Sequence, residues 1–121
     1  MCKVQGVGID LCDISRMEQN LRDDRFLSRF FTQEEGDYIR SRGLAASQSM
    51  AGIFAAKEAF LKAVGTGLSL PMKDIEVRHT PLGQPVYHLS GKALEAADGG
   101  EVLLSITHEG LMAAAVCIWQ K

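Results

Sequence analysis

The chain of 121 residues is long enough for one domain around one hydrophobic core, and we predict a single domain over residues 1–121. Hydrophobic residues make up 46% of the chain, a share that argues against a disordered protein. The formal net charge of −2 favours neither nucleic acid as a partner nor a polyanionic tail. The apolar runs are too short to cross a bilayer, so no membrane association is expected.

The cysteines indicate a reducing compartment. The chain contains three, Cys2, Cys12 and Cys117, which is an odd number without a CxxC spacing. That pattern favours reduced thiols over a disulfide framework or a zinc site. The N-terminal residues MCKVQGVGID also lack the pattern of a signal peptide, so we expect a cytoplasmic protein.

The first third of the chain predicts one strand followed by helices. Residues 3–11 predict a buried strand, and Asp13 can cap a short helix after it. Thr32 precedes Glu35 by three positions, which is the spacing of a capping box, and the helix that it begins should end near Arg42. The apolar positions of the predicted strand are Val4, Val7, Ile9 and Leu11.

The rest of the chain predicts a long helix and two hairpins. The helix should run from about Ala46 to Val64, before the glycines of the sequence GTG. Together, one strand, several helices and two hairpins predict a small α+β domain, with an antiparallel sheet and helices packed on one face. The hairpin strands are expected at residues 74–79 and 86–90 and at residues 101–108 and 111–119, with a short helix within residues 91–100.

Arginines are concentrated in the N-terminal third. Six of the seven precede Gly43, and acidic residues are mixed among them. One interpretation is a solvated helical face, and the other is a docking surface for an acidic partner. These six residues are Arg16, Arg22, Arg25, Arg29, Arg40 and Arg42.

Two carboxylates stand among apolar residues. Asp10 interrupts the predicted strand, where it either binds a cation or simply ends the strand and caps the next turn. Glu58 lies at the edge of the core-facing side of the long helix, where the alternative is an ordinary (i, i+4) pair with Lys62. Two carboxylates from separate elements are typical of Mg²⁺ that also binds a phosphate. Lys57 and Lys62 would then face the same phosphate as point charges.

Further candidate contacts follow the long helix. Gly65, Thr66 and Gly67 could let the backbone approach a ligand, although a helix C-cap is the simpler interpretation. His108 ends a predicted strand and is either structural or part of a site.

At this point the sequence resembles a known family. The segments GVGIDLCDISRM, RFFTQEE, FAAKEAFLKAVGTG, GQPVYHLSGKA and SITHEGLMAAAVCI occur in the order seen in holo-acyl-carrier-protein synthases. These are the short, stand-alone 4′-phosphopantetheinyl transferases. The resemblance covers nearly the whole chain, and its two main motifs are separated by about the distance found in the family.

The resemblance implies a reaction. Coenzyme A would donate its 4′-phosphopantetheine group to a serine of apo acyl carrier protein, in an Mg²⁺-dependent step of fatty acid biosynthesis that releases adenosine 3′,5′-bisphosphate. In this family the aspartate and the glutamate of the two motifs hold Mg²⁺, which implies Asp10 and Glu58. Lys62 would stabilise phosphate charge. The serine proton would pass either to Glu58 or to a water on the metal.

The resemblance also implies partners and an assembly. Arg16 matches the arginine that meets an acidic carrier-protein helix, and Arg22, Arg25 and Arg29 would extend that surface. His108 resembles the residue near the nucleotide end of the donor. A homotrimer is implied, in which Asp10 and Glu58 come from one chain and His108 comes from the next.

One departure from the family pattern stands beside these matches. Ile53 occupies a position where members of the family usually carry an arginine near the donor phosphates. Two other kinds of protein remain as alternatives. One is a binding module that holds coenzyme A or a carrier protein without catalysis, and the other is a structural subunit in which Glu58 only pairs with Lys62.

Overall fold

The computed structural model describes residues 1–65 and 69–121, and in them the predicted order of elements is confirmed. One strand leads into four helices, and two hairpins flank a fifth helix. The elements are β1 (Val4–Asp13), α1 (Ile14–Asn20), α2 (Asp24–Phe30), α3 (Gln33–Ser41), α4 (Ala46–Val64), β2 (Ile75–His79), β3 (Pro85–Leu89), α5 (Gly91–Ala97), β4 (Glu101–Glu109) and β5 (Met112–Gln120). Short 3₁₀ turns cover Gly43–Ala45 and Met72–Asp74. None of the described helices is long and apolar enough to cross a membrane.

The strands form two antiparallel sheets. The larger has the order β1-β5-β4, so the last strand of the chain is central, and Asp10 of β1 stands opposite Ala115. The smaller sheet is the β2-β3 hairpin. The expected α+β architecture is confirmed, and α4 is its central helix because it packs against both β1 and β5.

Local signals set the ends of the helices as predicted. The Asp13 carboxylate accepts a hydrogen bond of 2.9 Å from the backbone N–H of Ser15 at the start of α1. Thr32 and Glu35 form a complete capping box at the start of α3. At the end of α4, Gly65 has a φ of 72°, and its backbone N–H donates to the carbonyl of Leu61. A left-handed residue of this kind is the usual C-cap of a helix.

The expectation that the apolar side chains of β1 are buried is wrong. Val7, Ile9 and Leu11 are 59%, 64% and 65% exposed in the chain. The face of β1 that meets α4 carries the alternate residues, which include Gly8 and Cys12. The strand therefore turns its small and polar residues towards the helix and its large apolar residues outwards.

Glycine allows β1 and α4 to approach at backbone distance. A Cβ atom on Gly8 would overlap the carbonyl oxygen of Ala59, and one on Gly6 would overlap that of Ala63. No side chain fits between the two elements at these points. Asp10 lies two residues after Gly8, so its side chain is on the same face of the strand and is directed towards α4.

Four phenylalanines attach α2 to α4. The rings of Phe26 and Phe30 have centroids 4.8 Å apart, and Phe54 of α4 meets Phe30 edge to face at 5.8 Å. Phe31 completes the group at 6.3 Å from Phe54. These ring contacts fix α2 beside the middle of α4. Phe54 lies one helical turn before Glu58.

A substitution at Gly8 tests the close approach. We expect Gly8→Ala to lower the free energy of unfolding by at least about 3 kcal/mol, because strand and helix must separate to admit the methyl group. Gly36→Ala is the matched control, since its Cβ would meet only the movable Arg40 side chain, at 3.2 Å. Alanine within a helix should leave stability unchanged or raise it by up to about 1 kcal/mol. Equal denaturant midpoints for the two variants would contradict the close approach.

Candidate active site

Asp10 and Glu58 meet where β1 crosses α4. Asp10 is on the helix-facing side of β1, and its side chain is only 16% exposed. Glu58 is half-buried on α4. Burial raises the pKa of Glu58, and the neighbouring charge of Asp10 raises it further. The two carboxylates from separate elements are therefore close enough to repel each other.

Lys62 joins this pair from the next turn of α4. Its Nζ donates to Oδ1 of Asp10 at 3.0 Å and to the carbonyl oxygen of Ile9 at 3.1 Å. Its positive charge also lowers the pKa of Glu58 against the effect of burial. Lys62 thus spans to β1 and is more than a partner for Glu58 on the helix surface. With a side chain 56% exposed, it remains accessible to a ligand.

Arg16 and Cys12 complete the surroundings of the carboxylates. The Arg16 guanidinium lies 5.8 Å from the centroid of the Phe54 ring, and its charge lowers the pKa of Glu58. Burial, opposed by Arg16 and reinforced by Asp10, raises the pKa of the Cys12 thiol to about 11. Cys12 is therefore a neutral thiol beneath the charged groups at neutral pH.

The two carboxylates fit a hard divalent cation. Within residues 1–65 and 69–121, no group of three or more histidine, cysteine or acidic side chains could hold a metal ion by itself. Mg²⁺ commonly takes one or two carboxylates and completes its coordination with water and ligand phosphates. A cation between Asp10 and Glu58 would also relieve the repulsion that raises the pKa of Glu58. The donor set therefore suits Mg²⁺ bound together with a phosphate.

Lys57 lies in the protein interior, which contradicts one prediction. Its side chain is completely buried, and its Nζ donates to Oε1 of Glu35 at 2.8 Å and to the carbonyls of Met72 and Ile75, both at 2.9 Å. The expectation that Lys57 faces a phosphate is therefore wrong. Successive helical residues differ by about 100° in direction, so Lys57 points away from the side that carries Glu58.

A cavity of about 670 Å³ opens beside Glu58. Phenylalanines, leucines, a proline and a methionine supply most of its walls. Glu58 is the carboxylate that faces it. Its lining residues are Ser28, Arg29 and Phe30, then Phe54, Glu58 and Leu61, and finally Leu70, Pro71, Met72 and Lys73.

His108 lies apart from the carboxylates. It is on β4, which β5 separates from β1, and its Nδ1 is 2.7 Å from Nε2 of Gln48. Both residues line a smaller cavity of about 190 Å³ together with Arg42 and Ile53. Within one chain, β5 therefore keeps His108 away from Asp10 and Glu58.

Ile53 is part of the core, with only 1% of its surface exposed. Arg42, on the wall of the same cavity, lies 5.7 Å from the ring of Tyr38, which stacks on His79 at 3.9 Å. From the sequence, Arg42 was assigned only to the arginine-rich region. Arg42 and His108 line the same cavity although they are distant in sequence, and no local pattern indicates such a contact.

The candidate docking arginines are all exposed on α1, α2 and the turn between them. Arg29 also lines the large cavity, with its guanidinium 5.0 Å from the ring of Phe30. The charge of Arg16 also acts on Glu58. The docking arginines are Arg16, Arg22, Arg25 and Arg29.

The predicted ligand contacts after α4 are only partly described. Gly65 is the C-cap of α4, whereas Thr66 and Gly67 lie outside the described residues.

Known sequences and structures resemble this chain over nearly its full length. The sequence model of the 4′-phosphopantetheinyl transferase superfamily matches residues 6–116. The holo-[acyl-carrier-protein] synthase of Treponema denticola is 46% identical over 95% of this chain and 97% of its own. That of Syntrophus aciditrophicus is 44% identical over 95% of this chain and 94% of its own.

Solved structures agree with the sequence comparison. A holo-(acyl-carrier-protein) synthase from Bacillus anthracis, in complex with CoA (3′,5′-ADP), superposes with a TM-score of 0.81 at 35% identity, covering 97% of this chain and 96% of its own. The Helicobacter pylori synthase in complex with coenzyme A gives a TM-score of 0.81 at 31% identity, covering 93% and 97%. Fold, motifs and sequence thus point the same way, and the chain belongs to the 4′-phosphopantetheinyl transferase superfamily, among the holo-[acyl-carrier-protein] synthases.

Proposed function

We propose that this enzyme transfers 4′-phosphopantetheine from coenzyme A to a serine of an apo acyl carrier protein, with Mg²⁺ as its metal. The observation that carries the proposal is the meeting of Asp10, Glu58 and Lys62 at one crossing of strand and helix. Relatives that are named for this activity, and two similar structures that contain coenzyme A or part of it, support the choice of substrates. Such a step would serve fatty acid biosynthesis in the cytoplasm.

The metal ligands and Lys62 have different roles in the proposed transfer. Asp10 and Glu58 would hold Mg²⁺, which would neutralise the charge of the donor pyrophosphate and so favour in-line attack at its phosphorus. The serine oxygen forms a bond to the phosphorus next to pantetheine, and the bond from that phosphorus to the bridging oxygen breaks. Adenosine 3′,5′-bisphosphate leaves with those electrons. Lys62, exposed beside Asp10, stabilises the charge that gathers on the phosphate oxygens.

Glu58 is the residue that we assign as the base. A carboxylate held close to the reacting hydroxyl can accept its proton as the hydroxyl attacks. Glu58 lies at the boundary of the large cavity, where its carboxylate is within reach of a hydroxyl that attacks the donor phosphorus. The serine proton then goes to Glu58 as the new phosphorus–oxygen bond forms.

The large cavity suits the pantetheine arm of the donor. Its walls are mainly apolar, and Glu58 stands at its boundary. The arm is an uncharged chain attached directly to the phosphorus that reacts. With that phosphorus at Glu58, the arm would lie between Phe54 on α4 and the segment Leu70–Lys73.

The function and its metal are tested by one assay. Native protein, coenzyme A, Mg²⁺ and an apo carrier should give a carrier heavier by one phosphopantetheine group, measured by mass spectrometry. Asp10→Asn and Glu58→Gln should each lower the rate by at least about 100-fold, because each replaces a charged ligand of the metal with a neutral one of the same shape. Excess EDTA should stop the native reaction, and added Mg²⁺ should restore it.

The same assay separates the alternatives. A binding module would retain coenzyme A or the carrier without a change in carrier mass, and a structural subunit would bind neither. Glu18→Gln, on an exposed position of α1, is the control for loss of a carboxylate. Near-native transfer by Asp10→Asn, by Glu58→Gln or in EDTA would show that the metal assignment is wrong.

The exposed arginines are proposed to receive the acidic carrier protein. We expect Arg16→Glu to raise KM for the carrier by about tenfold and to leave KM for coenzyme A nearly unchanged. Association should weaken with salt, since exposed charges are screened beyond about 8 Å at physiological ionic strength. Lys92→Glu, the same charge change on an exposed residue of α5, is the control. Equal effects of Arg16→Glu on both substrates would indicate that Arg16 acts through Glu58 instead.

The outer face of the larger sheet supports the proposed homotrimer. Val7, Ile9 and Leu11 on β1 are exposed in a single chain, and Leu103 on β4 is 44% exposed. Exposed apolar side chains on one face of a sheet often mark an interface. Contact between sheets of neighbouring chains could bring His108 of one chain towards the carboxylates of another.

Assembly is tested by light scattering coupled to gel filtration. Native protein should have the mass of a trimer at micromolar concentration. Ile9→Lys should lower that mass and the transfer activity together, because it places a charge in the apolar face. Leu82→Lys is the control, since this leucine is 98% exposed in the turn between β2 and β3. A fully active native monomer would rule out the trimer.

A further inference from the structure

Lys57 and Glu35 form a buried pair in which every donor of the lysine is used. The Lys57 ammonium has three hydrogen bonds, to Oε1 of Glu35 and to the carbonyls of Met72 and Ile75. Glu35 Oε2 accepts a further bond of 2.7 Å from the backbone N–H of Val77. A buried lysine is costly unless it is paired in this way. The bond to Met72 satisfies one of the three N–H donors, and it also ties the ammonium group to the segment Leu70–Lys73.

Met72, whose carbonyl accepts this bond, lines the wall of the large cavity. Met72 begins the 3₁₀ turn Met72–Asp74, and the segment Leu70–Lys73 lines one side of the cavity. Phe54 and Glu58 line the other side from α4. Lys57 is the residue directly before Glu58, so its bond to Met72 connects the two walls through the protein interior.

We propose that Lys57 is a positioning residue that holds the segment Leu70–Lys73 at a fixed distance from α4 and so sets the width of the cavity for the pantetheine arm. The inference rests on the proposed function for the identity of this ligand. Lys57 touches neither the donor nor the reacting atoms, because its side chain is completely buried. Its effect on the donor is transmitted through the backbone of Met72.

The role predicts an unusual selectivity. Lys57→Met keeps the length of the side chain and removes its hydrogen bonds, so the wall should loosen. Affinity for coenzyme A should fall by about tenfold, because a loosened wall has to be ordered again when the arm binds. Affinity for adenosine 3′,5′-bisphosphate, which lacks the arm, should change by less than about twofold, and KM for the carrier should be unaffected.

Glu35→Gln is the matched control. It removes the charge of the partner, but the Lys57 nitrogen can still donate to Met72. It should lower thermal stability without selective loss of coenzyme A. If Lys57→Met does not fold, the double variant Lys57→Met/Glu35→Gln, which leaves no unpaired buried charge, replaces it in the comparison.

The role of Lys57 is tested by isothermal titration calorimetry with coenzyme A and with adenosine 3′,5′-bisphosphate, alongside the transfer assay. Selective loss of coenzyme A in the lysine variant and not in Glu35→Gln supports the proposal. Equal loss of both ligands, no loss, or the same selective loss in Glu35→Gln would overturn it. If native protein binds coenzyme A but does not modify a carrier, the proposed function fails while the calorimetry still tests Lys57. Native protein that does not bind coenzyme A would overturn both.

Discussion

The backbone contact between β1 and α4 is the constraint on which the site depends. Gly6 and Gly8 lie against the carbonyls of Ala63 and Ala59, where a Cβ atom would overlap them. On the helix, Lys62 and Glu58 immediately precede those two alanines. On the strand, Asp10 continues the face of the two glycines. The contact that packs the core therefore also sets the register of an aspartate against a glutamate and a lysine on the other element.

The same contact explains why the sheet has one covered and one uncovered face. Small residues of β1 meet α4, so its large apolar residues, such as Ile9, have to point outwards. The chain thus separates two tasks. The side against the helix carries the charged groups proposed to act on the donor, and the opposite side offers an apolar surface that suits another copy of the chain. Loss of the assembly would be felt at the active site only if a neighbouring chain contributes to it, as proposed for His108.

Local signals allowed most of the fold to be predicted from the sequence. The Asp13 cap, the capping box of Thr32 and Glu35, and the bounds of α4 at Ala46 and Val64 all depend on residues within a few positions of one another. The orientation of β1 was missed because a period of two shows which residues share a face, and not which face is covered. Lys57 was misplaced for a related reason. Its partner Glu35 is 22 residues away, and α4 is buried on so many sides that its sequence pattern does not distinguish the side of Lys57 from that of Glu58.

Asp10 and Glu58 are proposed to hold one metal ion together with the donor. The most direct measurement is anomalous X-ray scattering from crystals grown with coenzyme A and Mn²⁺ in place of Mg²⁺. We expect one anomalous peak within about 2–2.5 Å of a carboxylate oxygen of both Asp10 and Glu58, and no such peak in Asp10→Asn crystals. A native crystal with coenzyme A bound and no manganese at these carboxylates, from protein that transfers the group at its full rate, would contradict the proposal.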